Sequence, residues 1–584
     1  MARNVQNRLL LSLVSLALAA CQPASPEQGS AANSRQALTH DFTLDQSEFN
    51  ALDTSQQYMV ANKALSTMFR GLPLDEYFDL TQGLDNPVVQ QDNYMASLQT
   101  RLRTPLTQEQ LSAANIDIFG KDDNPVTEAD ESVPARFTSL DSEHPHQIYM
   151  ARMQAYPLSR DQLVAWMSYF LANTIMFSPA REMDSTNSQD IARVLGYLEQ
   201  SMMNGSSIRD VVRGWMHNLS RWRVSRSPEN HALEMFELYL GIFNDTPEEQ
   251  QNTINGGIAC DSWYLTDNDA DYQLLKDLTK SGSGQTVKVM GEYISSCEDL
   301  YDLVAGHPLL IPRVIEVIVN YILDGASGST KSALIRNIVS TSPKTFDDVF
   351  LAIIFSKAFL LHSERPKTFE ENTWGFLNSM HYTPRWSGNS QLGTRVLDYM
   401  LDSSNNSAQI AVHRMGWAAM DYKIGRLPFL PMDVLSFATY HKGIRESVLM
   451  NNRAFDGRNH PKAETYTEAD APRESPIEIH SGAFYLAGTE NLKPELENLS
   501  LSEFIDFVFL TALGRRASDA EATAFIAEGE RRDYLRVYDD VLSLRRAGGG
   551  NDEIYEYWVD DYAEIMLDYI SRLPEFYYYK SVSQ

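Results

Sequence analysis

Residues 303–323 read LVAGHPLLIPRVIEVIVNYIL, and this stretch decides the fold class. Its apolar residues recur at spacings of three and four, the period of a helix. Working outward, the same period marks 53–70, 91–102, 158–177, 188–203, 229–243, 297–323 in two pieces, 345–361, 368–380, 500–513, 518–528 and 551–572. Helix-start signals accompany it. Ser518 with Glu521 spells a capping box, and Thr246-Pro247-Glu248-Glu249 puts a cap, a first-turn proline and two acids in helix-opening order. Strand signals are sparse: Thr286-Val287-Lys288-Val289 alternates inside a Gly/Ser-rich stretch and predicts a ribbon with 257–265. The expectation is a mostly α protein, a multi-helix globular body with a small β-ribbon near 257–290 and a smaller C-terminal helical unit.

Composition narrows the function classes. The 584 residues exceed what one core comfortably fills. With 43% hydrophobic and 22% charged residues, wholesale disorder is excluded. Lys and Arg total 49 against 78 Asp and Glu, a net charge of −29, so the surface repels nucleic acid and anionic headgroups. Three cysteines are too few for a disulfide scaffold or a four-cysteine metal site.

The first residues carry a targeting signal. Arg3 and Arg8 form a positive segment, Leu9–Ala20 an apolar run too short to span a bilayer, and Leu18-Ala19-Ala20-Cys21 resembles the bacterial lipobox. The expectation is a lipoprotein signal peptide over 1–20 and lipidation of Cys21, whose acyl chains attach the protein to the membrane. Gln22 at the following position implies outer-membrane delivery with the body facing the periplasm. Residues 21–40 read as a flexible tether, 41–450 as the main helical domain, 451–490 as a long loop or linker, and 491–584 as the C-terminal helical unit. Val164–Phe177 is the strongest apolar run of the body; Ser168, Asn173 and Thr174 within it make it a buried core helix rather than a membrane span. Phe346–Leu361 and Tyr562–Tyr579 echo one another, each an apolar helix closing on a Ser, a basic residue and a Phe.

Across 158–450, roughly half of the chain, the motif order resembles a bacterial exported family catalogued only as a domain of unknown function, number eighteen hundred. The resemblance runs through Gln162–Phe177, Ile191–Met203 and Asp210–Leu219 to Ser227–Glu234 and Phe236–Gly241. There the family pattern is Glu-Asn-Tyr-Ala-Arg-Glu, then an aromatic residue and a Leu-Gly turn. Glu229, Asn230, Ala232, Glu234 and Gly241 match, while His231 replaces the Tyr and Leu233 the Arg. Leu303–Leu323 is similar to the family's His-Pro helix, and Phe350–Phe359 with Lys367–Phe369 to its closing helix and lysine turn. The resemblance implies an exported helical protein, often encoded beside an exported sulfatase-like protein, and carries no activity. Leu233 removes a charge partner of Glu229 or Glu237.

Several groupings are candidates for chemistry. Glu229, His231, Glu234 and Glu237 share one helix and are the catalytic or metal-site candidates, against a buried hydrogen-bonded cluster as the alternative. Asp267, Asp269 and Asp271 open like a calcium loop, but Tyr272 and Leu278 stand where the glycine and the bidentate glutamate belong, which favours a solvated turn. Asp141, Glu143, His144 and His146 form a second candidate metal cluster, in a turn-rich stretch that favours solvent exposure instead. Cys260 and Cys297 are expected to form a disulfide in an oxidising compartment. Gly325–Ser332 nearly spells a phosphate loop, but Thr330 precedes the lysine where glycine is required, so no nucleotide is expected, and no cofactor either. The tyrosines of 555–579 supply core packing or a platform for sugar or protein. Together these readings favour an envelope lipoprotein that binds or scaffolds an exported partner protein or polysaccharide. The alternative is an envelope hydrolase or metal-dependent enzyme using the 229–237 helix.

Overall fold

Arg160–Ala172 shows how the apolar run of the sequence is used: every residue from Asp161 to Ala172 is buried, so this helix is enclosed on all sides. The computed structural model describes residues 42–88, 93–119, 156–172, 174–176, 188–218, 227–265, 274–276, 285–367, 499–531 and 572–582, with 371, 375, 379, 566, 567, 569 and 570. The chain divides into two units, Met1–Asp41 and Phe42–Gln584, and every described residue belongs to the second.

The helices are α1 (Gln46–Asn50), α2 (Thr54–Thr67), α3 (Tyr94–Arg103), α4 (Gln108–Phe119), α5 (Arg160–Ala172), α6 (Ser188–Met203), α7 (Ile208–Asn218), α8 (Pro228–Leu240) and α9 (Pro247–Cys260). After the first ribbons come α10 (Cys297–Gly306), α11 (Leu310–Ile322), α12 (Gly328–Ser340), α13 (Phe346–Ile354) and α14 (Lys357–Leu360). The C-terminal part contributes α15 (Leu501–Leu513), α16 (Asp519–Arg531) and α17 (Pro574–Tyr577). The protein is mostly helical, and the split of 297–323 falls where Pro308 interrupts it. The expected helices at 368–380 and 551–572, and the expected long loop or linker at 451–490, lie wholly or largely outside the described residues.

Capping chemistry sets the helix starts. Thr246 and Glu249 at α9, Thr345 and Asp348 at α13, and Ser500 and Glu503 at α15 form reciprocal boxes that satisfy amides the helix leaves open. Ser518 and Glu521 exchange the same pair of bonds at α16. In GASGSTKS, Ser327 caps α12 by accepting the Thr330 amide, so this segment is a helix start.

Three two-stranded antiparallel ribbons complete the described structure: β1 (Trp263–Leu265) with β2 (Leu274–Lys276), β3 (Val287–Val289) with β4 (Glu292–Ile294), and β5 (Arg365–Pro366) with β6 (Tyr578–Tyr579). The expected pairing of 286–289 with 257–265 is corrected here. Val287 pairs with Ile294 through the Met290-Gly291 turn, where φ is 48° and 89°. Two central residues of positive φ give the hairpin twist that joins neighbouring strands, so local closure wins. Residues 257–260 belong to α9, and Asn252 and Asn255 of that helix dock the hairpin by bonding the Met290 amide and the Lys288 carbonyl.

The core runs from α2 through α5 and α13 to α15. Trp166 and Phe170 of α5 both meet Phe350 of α13 edge-on, with centroids 5.2 Å away in each case. Arg160, at the start of α5, bonds Asp347 at 2.7 Å and the last carbonyls of α6. The C-terminal helices pack on the N-terminal ones. Arg516 bonds the Leu84 carbonyl and pairs with Asp85, and Gly514 lies against Met59.

Candidate functional site

The 229–237 helix is built as its sequence specifies. Ser227 caps α8 by accepting the Asn230 amide, Pro228 occupies the first turn, and Gly241 ends the helix in the left-handed region at φ 71°. The candidate side chains separate around its circumference. His231 is fully buried, Glu234 and Glu237 are half-buried, and Glu229 is exposed. Steps of three residues rotate about 300°, so Glu234 and then Glu237 stand progressively off the buried face that holds His231. Among the described residues no group of three or more His, Cys, Asp or Glu side chains is arranged to hold a metal.

His231 is instead part of the core. Its Nε2 lies 2.9 Å from the Tyr301 hydroxyl, which lies 3.1 Å from Cys297 Sγ. The disulfide sulfur carries no proton, so the hydroxyl donates either to sulfur or to Nε2, and the imidazole tautomer follows. Cys260 ends α9, Cys297 begins α10, and both are buried in the disulfide that joins them. On the other side of Tyr301, His217 packs edge-on at 5.1 Å and its Nε2 lies 3.3 Å from Asp302 Oδ1. Arg213 binds both oxygens of the same carboxylate. That hydrogen bonding holds the Asp302 carboxyl below its usual range. The Arg213 contacts leave the His217–Asp302 pair as a surface tie between α7 and α10.

The described residues also hold a surface cleft away from this helix. A cleft of about 470 Å³ opens between the ends of α3, α12 and α13. Leu351 and Phe355, both almost fully buried, lie behind it, and Gln99, Arg103, Ser342 and Lys344 belong to its polar lining. Ser342 holds φ 53° just after α12, a position that glycine usually fills, and its side chain is exposed on the rim. Thr43, the second described residue, lies on the wall because Phe42–Leu44 pairs with Phe355–Lys357. The Leu44 amide donates to the Phe355 carbonyl at 2.9 Å and the Lys357 amide to the Phe42 carbonyl at 2.8 Å.

With this geometry in view, comparison with known proteins adds no name. No protein-family model matches the chain. No curated protein and no solved structure matches it significantly.

The remaining sequence candidates divide by position. Cys21, the Asp267, Asp269 and Asp271 turn, the Asp141–His146 cluster and Tyr555–Tyr562 lie outside the described residues. Of the described tail tyrosines, Tyr577 and Tyr579 are buried, and Tyr569 donates to Glu521 at 3.1 Å. The cleft escapes sequence reasoning because its parts come from three separated segments. The only local signal is Lys344, standing just before a helix cap.

A buried cationic cluster escapes it too. Lys63 of α2 donates to the Ser363 carbonyl at 2.7 Å and lies over the Phe359 ring. Arg365 binds both oxygens of Glu371 at 2.8 and 2.6 Å and lies 4.8 Å over Tyr579. Lys367 faces Phe576 and Tyr579. Burial pushes the Lys63 amine far down and the Lys367 amine down to about 8.

Proposed function

We propose that this chain is a lipid-anchored protein of the bacterial cell envelope, held through acyl chains on Cys21, that binds an exported partner or polymer close to the outer membrane on its periplasmic side. The observation that carries the reading is the pairing of Phe42–Leu44 with Phe355–Lys357 at the wall of the cleft. The chain leading back to Cys21 therefore joins the body beside its candidate binding face. The buried Cys260–Cys297 disulfide agrees with an exported location, where such bonds persist. The family resemblance read over 158–450 points the same way. The enzyme alternative on the 229–237 helix is the weaker reading, because His231 is fully buried against Tyr301.

The test compares the wild-type chain with Cys21→Ser in a bacterial host, using membrane fractionation and mass spectrometry of the N-terminal peptide. A diacylated or triacylated Cys21 peptide, with the serine variant released from the membrane, is the expected result. Equal partitioning of both chains and an unmodified Cys21 would overturn the anchor.

A further inference from the structure

The cleft between α3, α12 and α13 offers a set of groups whose charges and hydrogen-bonding capacity are not balanced internally. Asp347 is committed to Arg160 at 2.7 Å, and Glu48 is committed to Lys357. Asp348 spends Oδ2 on the backbone amides of Lys344 and Thr345, at 3.2 and 3.1 Å. Arg103 and Lys344, both exposed on the cleft, enter no ion pair among the described residues. Part of the Arg103 field answers the carboxyl end of its own helix, whereas Lys344 precedes the N-cap of α13, where the helix field adds to its charge.

Beside these cations stand groups that accept. Asp348 Oδ1 receives none of the capping bonds, and the Gln99 amide and Ser342 hydroxyl both accept and donate. Thr341 uses its hydroxyl proton on the Ile338 carbonyl and presents only lone pairs. A sulfate or a phosphodiester brings acceptors alone and would face Asp348 and Thr341 without a proton to give. A neutral sugar would leave the two cations unmet. A ring that carries both a carboxylate and several hydroxyls satisfies both sets.

We propose that the cleft binds an acidic sugar unit, a polyhydroxylated ring bearing a carboxylate, with the carboxylate on Arg103 and Lys344 and ring hydroxyls on Asp348 and Gln99. This names the polymer class in the function proposed above and rests on the cleft being the binding face, but not on the anchor. The net charge of −29 opposes such a ligand at long range. At physiological salt that repulsion is screened beyond about 8 Å, while the two cations act at contact. The sugar is either a free monomer or one residue of an acidic polysaccharide, and the binding chemistry is the same.

The test is calorimetric titration of the full chain carrying Cys21→Ser, which removes acylation from the measurement. The probes are galacturonate, a short oligogalacturonate, and glucose as the neutral control. Galacturonate is expected to bind at least about tenfold tighter than glucose, the worth of one charge-assisted contact. Arg103→Gln and Lys344→Gln should each weaken galacturonate about tenfold and leave glucose unchanged. Arg101→Gln, on the same helix but off the cleft, should change neither. Gln99→Lys, which adds a cation, should tighten galacturonate and keeps the idea testable if a loss variant misfolds. Tighter binding of the oligomer than the monomer identifies the polymer as the source, and equal binding identifies the free sugar acid. Three results overturn the proposal: equal affinity for glucose and galacturonate, an equal loss with Arg101→Gln, or binding of neither acidic probe. Since the anchored wild type is fractionated separately, failure of the anchor and failure of the sugar site remain distinguishable.

Discussion

At the scale of single residues, the costliest feature is the burial of Lys63 and Arg365 around Tyr579, with Lys367 beside them and Glu371 paired to Arg365. An ammonium taken out of water loses hydration that ring faces and carbonyls only partly replace, so its charged form is disfavoured. Lys367 shows the consequence: burial, chiefly, brings its amine from 10.5 to about 8, with Arg365 adding repulsion and Glu371 opposing it. Below pH 8 the lysine is charged in both folded and unfolded chains, and the fold bears the full penalty. Between about pH 8 and 10.5 the unfolded chain holds the extra proton, so this residue makes stability rise with pH. Across that window its contribution improves by about 3 kcal/mol, taking 1.36 kcal/mol per pH unit. Lys367→Met removes the titration. The difference in unfolding free energy between wild type and this variant is therefore expected to move by about that amount in favour of wild type from pH 7.5 to 10.5. Urea titrations at four pH values measure it, and a flat difference would falsify the assignment.

At the scale of elements, most helices are legible in the sequence because each buries one face and is started by its own cap. Where the period extends around the whole helix, as in α5, the polar Ser168, Asn173 and Thr174 still separate a core helix from a membrane span; Ser168 and Thr174 bond the carbonyls four residues back. Among the described residues no helix is long and apolar enough to cross a membrane. The ribbon partner is not legible, because a Met-Gly turn with two positive φ values is not an obvious hairpin signal. Helix α12 is hidden because GASGSTKS reads as a loop until Ser327 is recognised as its cap. The candidate site fares worse: His231, Glu234 and Glu237 share a helix, but only the partner helices show that the imidazole faces Tyr301.

The approach of α9 to α8 is another property of paired elements. A Cβ on Gly257 would sit 2.8 Å from the Glu229 Cα, and one on Gly256 2.8 Å from the Ala232 Cβ. Alanine at 257 gains helix propensity of about 1 kcal/mol but must displace backbone, an overpacking cost of about 1–3 kcal/mol. Gly257→Ala should therefore lower the denaturant midpoint, while Gly328→Ala, with open space around its Cβ position, should leave it unchanged or raise it. A Gly257→Ala chain as stable as wild type would show that α8 yields at its first turn without loss.

At the scale of the whole molecule, both ends of the described body close on one segment. Phe42–Leu44 pairs with Phe355–Lys357, and a few residues later β5 pairs with β6 of the tail. The Lys367 amide donates to the Tyr577 carbonyl, and the Val582 amide to the Leu361 carbonyl. The two sequence segments that echo one another thus end in strands that meet: α13 and α14 lead into β5, and α17 leads into β6. Arg515 ties α17 to α16 by holding Glu575 and Glu521 together. The tail consequently covers the buried cations and links the C-terminal helices to the middle of the chain. Deleting residues 574–584 should remove Phe576 and Tyr579 from over Lys367 and return its amine toward 10.5. Two linked changes are expected in hydrogen exchange and in pH-dependent unfolding. The Lys367 amide loses its protection, and the stability rise between about pH 8 and 10.5 disappears. The 42–44 pairing, whose partners lie at the start of α14 and before it, should retain protection at the Leu44 amide. Full protection of the Lys367 amide in the shortened chain would mean that the tail rests on the body without closing it.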